Sequence, residues 1–107
     1  MIITLIGSTQ YSDKFAELRN KFESEGHTVL LPAFDNDNGM DELEVCEYNR
    51  SAIERADEVH IIWNNRSSGT IFDFGMCFAL RKKIVIEYIE DKTFENLFKQ
   101  YEQSCWE

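Results

Sequence analysis

The chain has 107 residues, which suits one domain covering 1–107. With 43% apolar residues, eight Phe, four Tyr and two Trp it can build a packed core, which argues against disorder. Its formal charge of −9 argues against a nucleic-acid polymer or an anionic membrane as partner, because either would need a basic face. A small ligand is still open to it, since helix N-termini and backbone amides bind anions whatever the net charge. Cys46, Cys77 and Cys105 match no zinc spacing, and three is a poor disulfide set. Cys46 and Cys77 fall in helical runs and read as core residues. No secretory leader is visible, and no window approaches the roughly 20 apolar residues of a membrane span. A cytoplasmic protein without a metal or cofactor is expected.

Ile2 to Ile6 is a continuous apolar run, the pattern of a strand covered on both faces, and Gly7-Ser8 ends it. Ser12 is placed to cap a helix whose apolar stripe is Phe15, Leu18 and Phe22. Gly26 suits the end of that helix. Thr28 to Leu31 reads as a second strand stopped by Pro32. A polar loop follows, over 33–41. Its Asp35-Asn36-Asp37-Asn38-Gly39 resembles the start of a calcium loop but lacks the downstream glutamate, because position 46 is Cys46.

Asp41 to Ala56 is predicted as a helix with Leu43, Cys46, Ile53 and Ala56 inward. Asp57 belongs to the turn into a third strand, Val59 to Trp63. A third helix is predicted from Ser68 or Thr70 to Arg81, and a fourth strand from Ile84 to Ile89. A last helix, capped by Asp91 or Thr93, has Phe94, Leu97, Phe98 and Tyr101 as its stripe. Phe98, Tyr101 and Trp106 could cap the core or serve an interface between copies.

This alternation predicts an α/β fold: a single Rossmann/flavodoxin-like three-layer domain, four parallel strands in the order 2-1-3-4, helices on both faces. The switch point then falls between strands one and three. It brings the loop Gly7 to Ser12 beside the stretch Asn64 to Asp73, at the edge where such folds bind ligands. Neither loop carries a complete dinucleotide fingerprint or a P-loop lysine. A receiver domain is also excluded, because no acid follows the first strand and no Asp directly follows the third.

Ser67-Ser68-Gly69-Thr70 opens the third helix, where unpaired amides and hydroxyls suit an anion or simply cap the helix. Asp73 follows among Phe72, Phe74, Met76 and Phe78. A carboxylate in apolar surroundings is costly without a task. At the start of a helix it would be held as the anion. Asn64 and Asn65 offer paired donors and acceptors for a base edge.

Taken together, these segments resemble the nucleoside 2-deoxyribosyltransferase family, including its deoxynucleoside-monophosphate N-glycosidase relatives. The matching points are Gly7-Ser8 after the first strand, Gly26-His27-Thr28-Val29 before Pro32, and Ala56-Asp57-Glu58-Val59. The longest runs from Ser68 to Leu80, with Gly69-Thr70, Asp73 and Gly75 in the family's pattern and Lys83-Ile84-Val85 after it. Asp73 stands where the family has a catalytic Glu. The resemblance implies cleavage or transfer at the bond between a base and a 2-deoxyribose. It implies Asp73 as nucleophile. Gly7, Ser8, Tyr11, Asn64, Asn65, Ser67, Ser68, Gly69 and Thr70 would line the substrate site, with Ser8 and Ser67-Ser68-Gly69 at the sugar or 5′-phosphate and Tyr11 near the sugar or base. A homo-oligomer is implied too. The alternative is a non-catalytic module of the same fold, binding a nucleotide or an ADP-ribose-type ligand, with Asp73 on a ribose hydroxyl.

Overall fold

The computed structural model describes residues 1–33, 39–64, 66–90 and 95–107. The expected calcium-like segment (all but Gly39), Asn65, the caps at Asp91 or Thr93 and Phe94 lie outside them. Four strands, β1 (Ile2–Gly7), β2 (Thr28–Leu30), β3 (Glu58–Trp63) and β4 (Ile84–Ile89), form one parallel sheet in the order β2-β1-β3-β4. The helices are α1 (Ser12–Ser24), α2 (Glu42–Arg55), α3 (Ser68–Ala79) and α4 (Glu95–Cys105). The predicted architecture and strand order are those observed.

Alternating side chains divide the core between the two faces of the sheet. On one face Ile3, Leu5 and Ile62 pack against Phe15, Leu18 and Phe22 of α1. On the other, Ile6, Val59, Ile61 and Trp63 meet Ile53, Phe74, Cys77 and Phe98 from α2, α3 and α4. Phe98 is fully buried and stacks on Phe74 at 3.7 Å and on Trp63 at 4.9 Å between ring centroids. It is therefore a core residue, not an interface residue. Asp57 is structural as expected: its Oδ2 accepts from the Ile2 amide at 2.7 Å and its own amide donates to the Ile2 carbonyl at 2.7 Å, pinning β1 to the start of β3.

Three local expectations change. Ser12 is the first residue of α1 rather than its cap, because a 3-10 turn at Thr9–Tyr11 leads into the helix. Leu43 is 69% exposed, and the buried positions of α2 are Val45, Asn49, Ala52 and Ile53. The cause is a capping box, in which Asp41 accepts from the Glu44 amide and Glu44 accepts from the Asp41 amide. This fixes the first turn and rotates Leu43 outward. Finally, α3 stops at Ala79, and Arg81 lies beyond it.

The ends of α1 and α3 share one geometry. In α1 the Gly26 amide donates to Glu23 and the His27 amide to Phe22; in α3 the Arg81 amide donates to Phe78 and the Lys82 amide to Cys77. Both are Schellman motifs, which need a left-handed residue just past the helix. Gly26 takes it at φ 92° and Arg81 at φ 55°. A side chain there is strained by about 1 kcal/mol. Arg81→Gly should raise unfolding stability by about that amount, read as a shift in denaturant midpoint at constant slope.

Candidate functional site

Gly7 ends β1, paired with Ile62 of β3. A Cβ on Gly7 would lie 1.8 Å from the Ile62 carbonyl oxygen and 2.9 Å from Phe15 Cζ. Only glycine fits, and the Ser8 amide then donates to that same carbonyl at 3.1 Å. The Ser8 hydroxyl donates to Asn64 Oδ1 at 2.9 Å and accepts from the Asn64 amide at 3.4 Å. Asn64 Nδ2 donates to Gln10 Oε1 at 3.0 Å, and its Oδ1 also accepts from the Arg66 amide at 2.9 Å. The two loops of the switch point are thus latched side by side through buried Ser8 and Asn64.

Beside the latch lies a cleft of about 240 Å³. Gly7 and Thr9 form one wall, with Ala33 from the segment after β2. The start of α3 supplies Ser67, Gly69, Thr70, Phe72 and Asp73, and α2 supplies Glu42, Val45, Cys46 and Asn49. Of the predicted site residues, Gly7, Ser67, Gly69, Thr70 and Asp73 meet here. Ser8 and Asn64 hold the loops and do not line the cleft. Tyr11 points toward β4, with its ring edge-on to Tyr88 at 5.7 Å and its hydroxyl donating to Glu90 Oε1 at 3.4 Å. Ser68 is exposed at the first position of α3 and does not line the cleft. Asn65 lies outside the described residues.

Ser67 is the N-cap of α3 but makes no side-chain cap bond. The nearest hydroxyl contact is Thr70 Oγ1 donating to Ser67 Oγ at 3.3 Å. Ser67 therefore leaves the first-turn amides without a cap from its own side chain, and that turn borders the cleft.

Asp73 is only 8% exposed, and burial pushes its carboxyl from 3.8 up to about 7. The expectation of a firmly held anion is corrected here. Asp73 is the sixth residue of α3, beyond the first turn in which the helix dipole is felt, so loss of water dominates. Burial, and then the nearby Asp73 and Glu42, raise the Cys46 thiol. Burial and then Asp73 push Cys77 up to about 12. Both thiols are therefore protonated at neutral pH, as suits packing residues.

The polar α2 residues of the cleft, Asn49 and Glu42, were not singled out from the sequence. Buried Asn49 accepts from the Ala33 amide at 2.9 Å and donates to the Ala33 carbonyl at 3.2 Å, so it clamps the chain leaving β2 against α2. The signal for it was the Asp41/Glu44 capping box, which sets the helical register and makes 49 an inward polar position. The same box places Glu42 in the first turn, at the cleft. Among the described residues no three His, Cys, Asp or Glu side chains are grouped to hold a metal ion. Among them, too, no helix is long and apolar enough to cross a membrane.

A family profile described as a domain of unknown function, DUF4406, matches residues 4–86, from within β1 to within β4, and takes in every residue that lines the cleft. The chain belongs to the DUF4406 family. This DUF4406 chain is also similar in structure to the Clostridium botulinum CMP N-glycosidase BcmB, with a TM-score of 0.71 and 20% sequence identity over 96% of this chain and 81% of that one. At that identity the likeness establishes a shared fold. No curated protein matches the sequence.

Proposed function

We propose that this DUF4406 protein acts at the N-glycosidic bond of a 2-deoxyribonucleoside or its 5′-monophosphate, with Asp73 as the reacting carboxylate. The observation that carries the reading is a buried carboxyl in a small cleft at the switch point of the sheet. Its 240 Å³ is below the about 300–1,000 Å³ of drug-sized sites and suits a nucleoside-sized ligand. The start of α3, where Ser67 makes no side-chain cap bond, and the hydroxyls of Ser67 and Thr70 would receive the sugar or its phosphate. The structural neighbour, a CMP N-glycosidase by name, supports the reading at the level of fold.

In the proposed reaction, ionised Asp73 attacks C1′ and the C1′–N bond breaks. The base leaves with the bonding electrons and takes a proton from water. Water then hydrolyses the glycosyl ester, releasing the sugar and a proton and restoring the carboxylate, as in retaining glycosidases. A second base in place of that water gives transfer. Because the attacking form is the anion, turnover should rise as pH passes through about 7 and level off above it.

The raised carboxyl also supports a second reading. Partly neutral at pH 7, Asp73 can donate to a ligand oxygen without attacking it, as a nucleotide- or ADP-ribose-binding module would require. Incubation with deoxynucleosides and their monophosphates, assayed for free base and for binding, separates the two. Saturable binding without base release would sink the enzyme reading.

We also infer self-association in the cytoplasm as a single-domain protomer. Ile71 and Phe72 are 38% and 55% exposed on α3, and Gly75 next to them has open space around its missing Cβ. Asp73, the one charged residue of α3, is buried, so this face carries no charge to repel a second copy of an acidic chain. Ile71→Asp should shift the sedimentation mass of wild type to that of one chain. A wild type already monomeric at assay concentrations would refute this.

A further inference from the structure

We propose a second ligand site, for a small aromatic anion of the mononucleotide kind, in the depression between the end of α3 and α4. This site is independent of the cleft. It lies at the amino-terminal end of β4, whereas the cleft lies past the carboxyl end of β1. The depression measures about 600 Å³ and is lined by Phe78, Arg81, Lys83, Tyr101, Ser104 and Cys105. That volume falls within the roughly 300–1,000 Å³ of small-molecule sites.

Three observations converge on it. The first is charge. The chain has twenty acidic and eleven basic residues, yet two cations face this depression, and neither makes an ion pair among the described residues. The Lys83 ammonium lies 4.9 Å over the Trp106 ring instead. A guanidinium beside an ammonium is the donor set that recognises a phosphate.

The second is backbone conformation. Arg81 occupies the left-handed position of a Schellman motif that α1 fills with Gly26. Glycine would be the unstrained choice, so the guanidinium is held at the rim against a conformational preference. Strain of this kind clusters at ligand sites.

The third is a set, uncharged floor. Tyr101 Oη and Cys105 Sγ both donate to the Lys82 carbonyl, at 2.7 and 3.7 Å, and Ser104 Oγ donates to the Tyr101 carbonyl at 2.7 Å. Burial and then Cys105 push the Tyr101 phenol up to about 12, so it contributes no negative charge at neutral pH. Phe78 is 54% exposed beside this floor and offers a flat face for a planar ring. Phosphate on Arg81 and Lys83 with a base on Phe78 satisfies all three observations.

The test is a two-dimensional amide NMR titration of the folded chain with AMP, and separately with inorganic phosphate. AMP should cause saturable shifts at the Arg81, Lys83 and Ser104 amides and at the Trp106 indole N–H, which donates to the Ile84 carbonyl at 2.9 Å. Arg81→Gly relieves the strain and should fold at least as stably, yet bind AMP at this site at least tenfold more weakly. Inorganic phosphate, lacking a ring, should also bind at least tenfold more weakly. Shifts confined to the Ser67–Thr70 amides of the cleft would overturn the proposal. So would affinity unchanged by Arg81→Gly, or inorganic phosphate binding as tightly as AMP.

Discussion

Asp73→Asn should make the protein more stable than wild type above pH 7 while abolishing its activity. The buried carboxyl titrates near 7 in the folded chain against an ordinary value of 3.8. Below about pH 4 both folded and unfolded forms carry the proton, and the residue has no pH-linked cost. Between about pH 4 and 7 the unfolded chain ionises first, so folding is progressively disfavoured. The difference of about three pH units corresponds to a penalty on the order of 4 kcal/mol above pH 7. Asparagine carries no charge at any pH and escapes it. Urea midpoints of wild type and variant should therefore converge near pH 4 and separate at pH 8, with the variant higher. Free-base release, in contrast, should fall on the order of a thousandfold or more, because the reacting group is gone. Stability gained where activity is lost is the pattern of a side chain kept for its chemistry. Equal stability of the two proteins at pH 8 would mean that the carboxyl is better hydrated than its position in the cleft implies.

Gly7→Ala should be the most damaging single-methyl change in the chain. The added Cβ would meet the Ile62 carbonyl oxygen at 1.8 Å, a backbone atom that cannot move without parting β1 from β3. The Ser8 amide bond to that carbonyl and the Ser8–Asn64 latch would go with it. A cost of about 3 kcal/mol or more is expected, since overpacking against fixed backbone exceeds the usual 1–3 kcal/mol of a core that can adjust. Soluble yield and far-UV circular dichroism report it. A cooperative, wild-type-like melt would refute the close approach.

Much of this fold can be read directly from residue patterns. The apolar runs Ile2–Ile6 and Val59–Trp63 fixed two central strands, and their alternation with helices fixed the order 2-1-3-4. The meeting of the Gly7 and Asn64 loops follows from that order alone. The cleft itself was harder to read. Ser8, Asn64 and Gly69 look alike in a sequence, being small or polar residues in loops. Only geometry separates the latch made by the first two from the wall that includes the third. Asn49 and Glu42 come from α2, whose inward face depends on a register that a slip at Leu43 hides. The ionisation of Asp73 depends on its place in the second turn and on burial from several elements, and no spacing rule encodes that. The left-handed Arg81 is likewise invisible in sequence, where glycine would have marked the turn.

The most direct measurement is release of free base from deoxynucleosides and their 5′-monophosphates, by wild type and Asp73→Asn, across about pH 5 to 9. Release by wild type should rise through about pH 7 and be lost in the variant. Release that persists in Asp73→Asn, or saturable binding with no release by wild type at any pH, would contradict the proposed reaction.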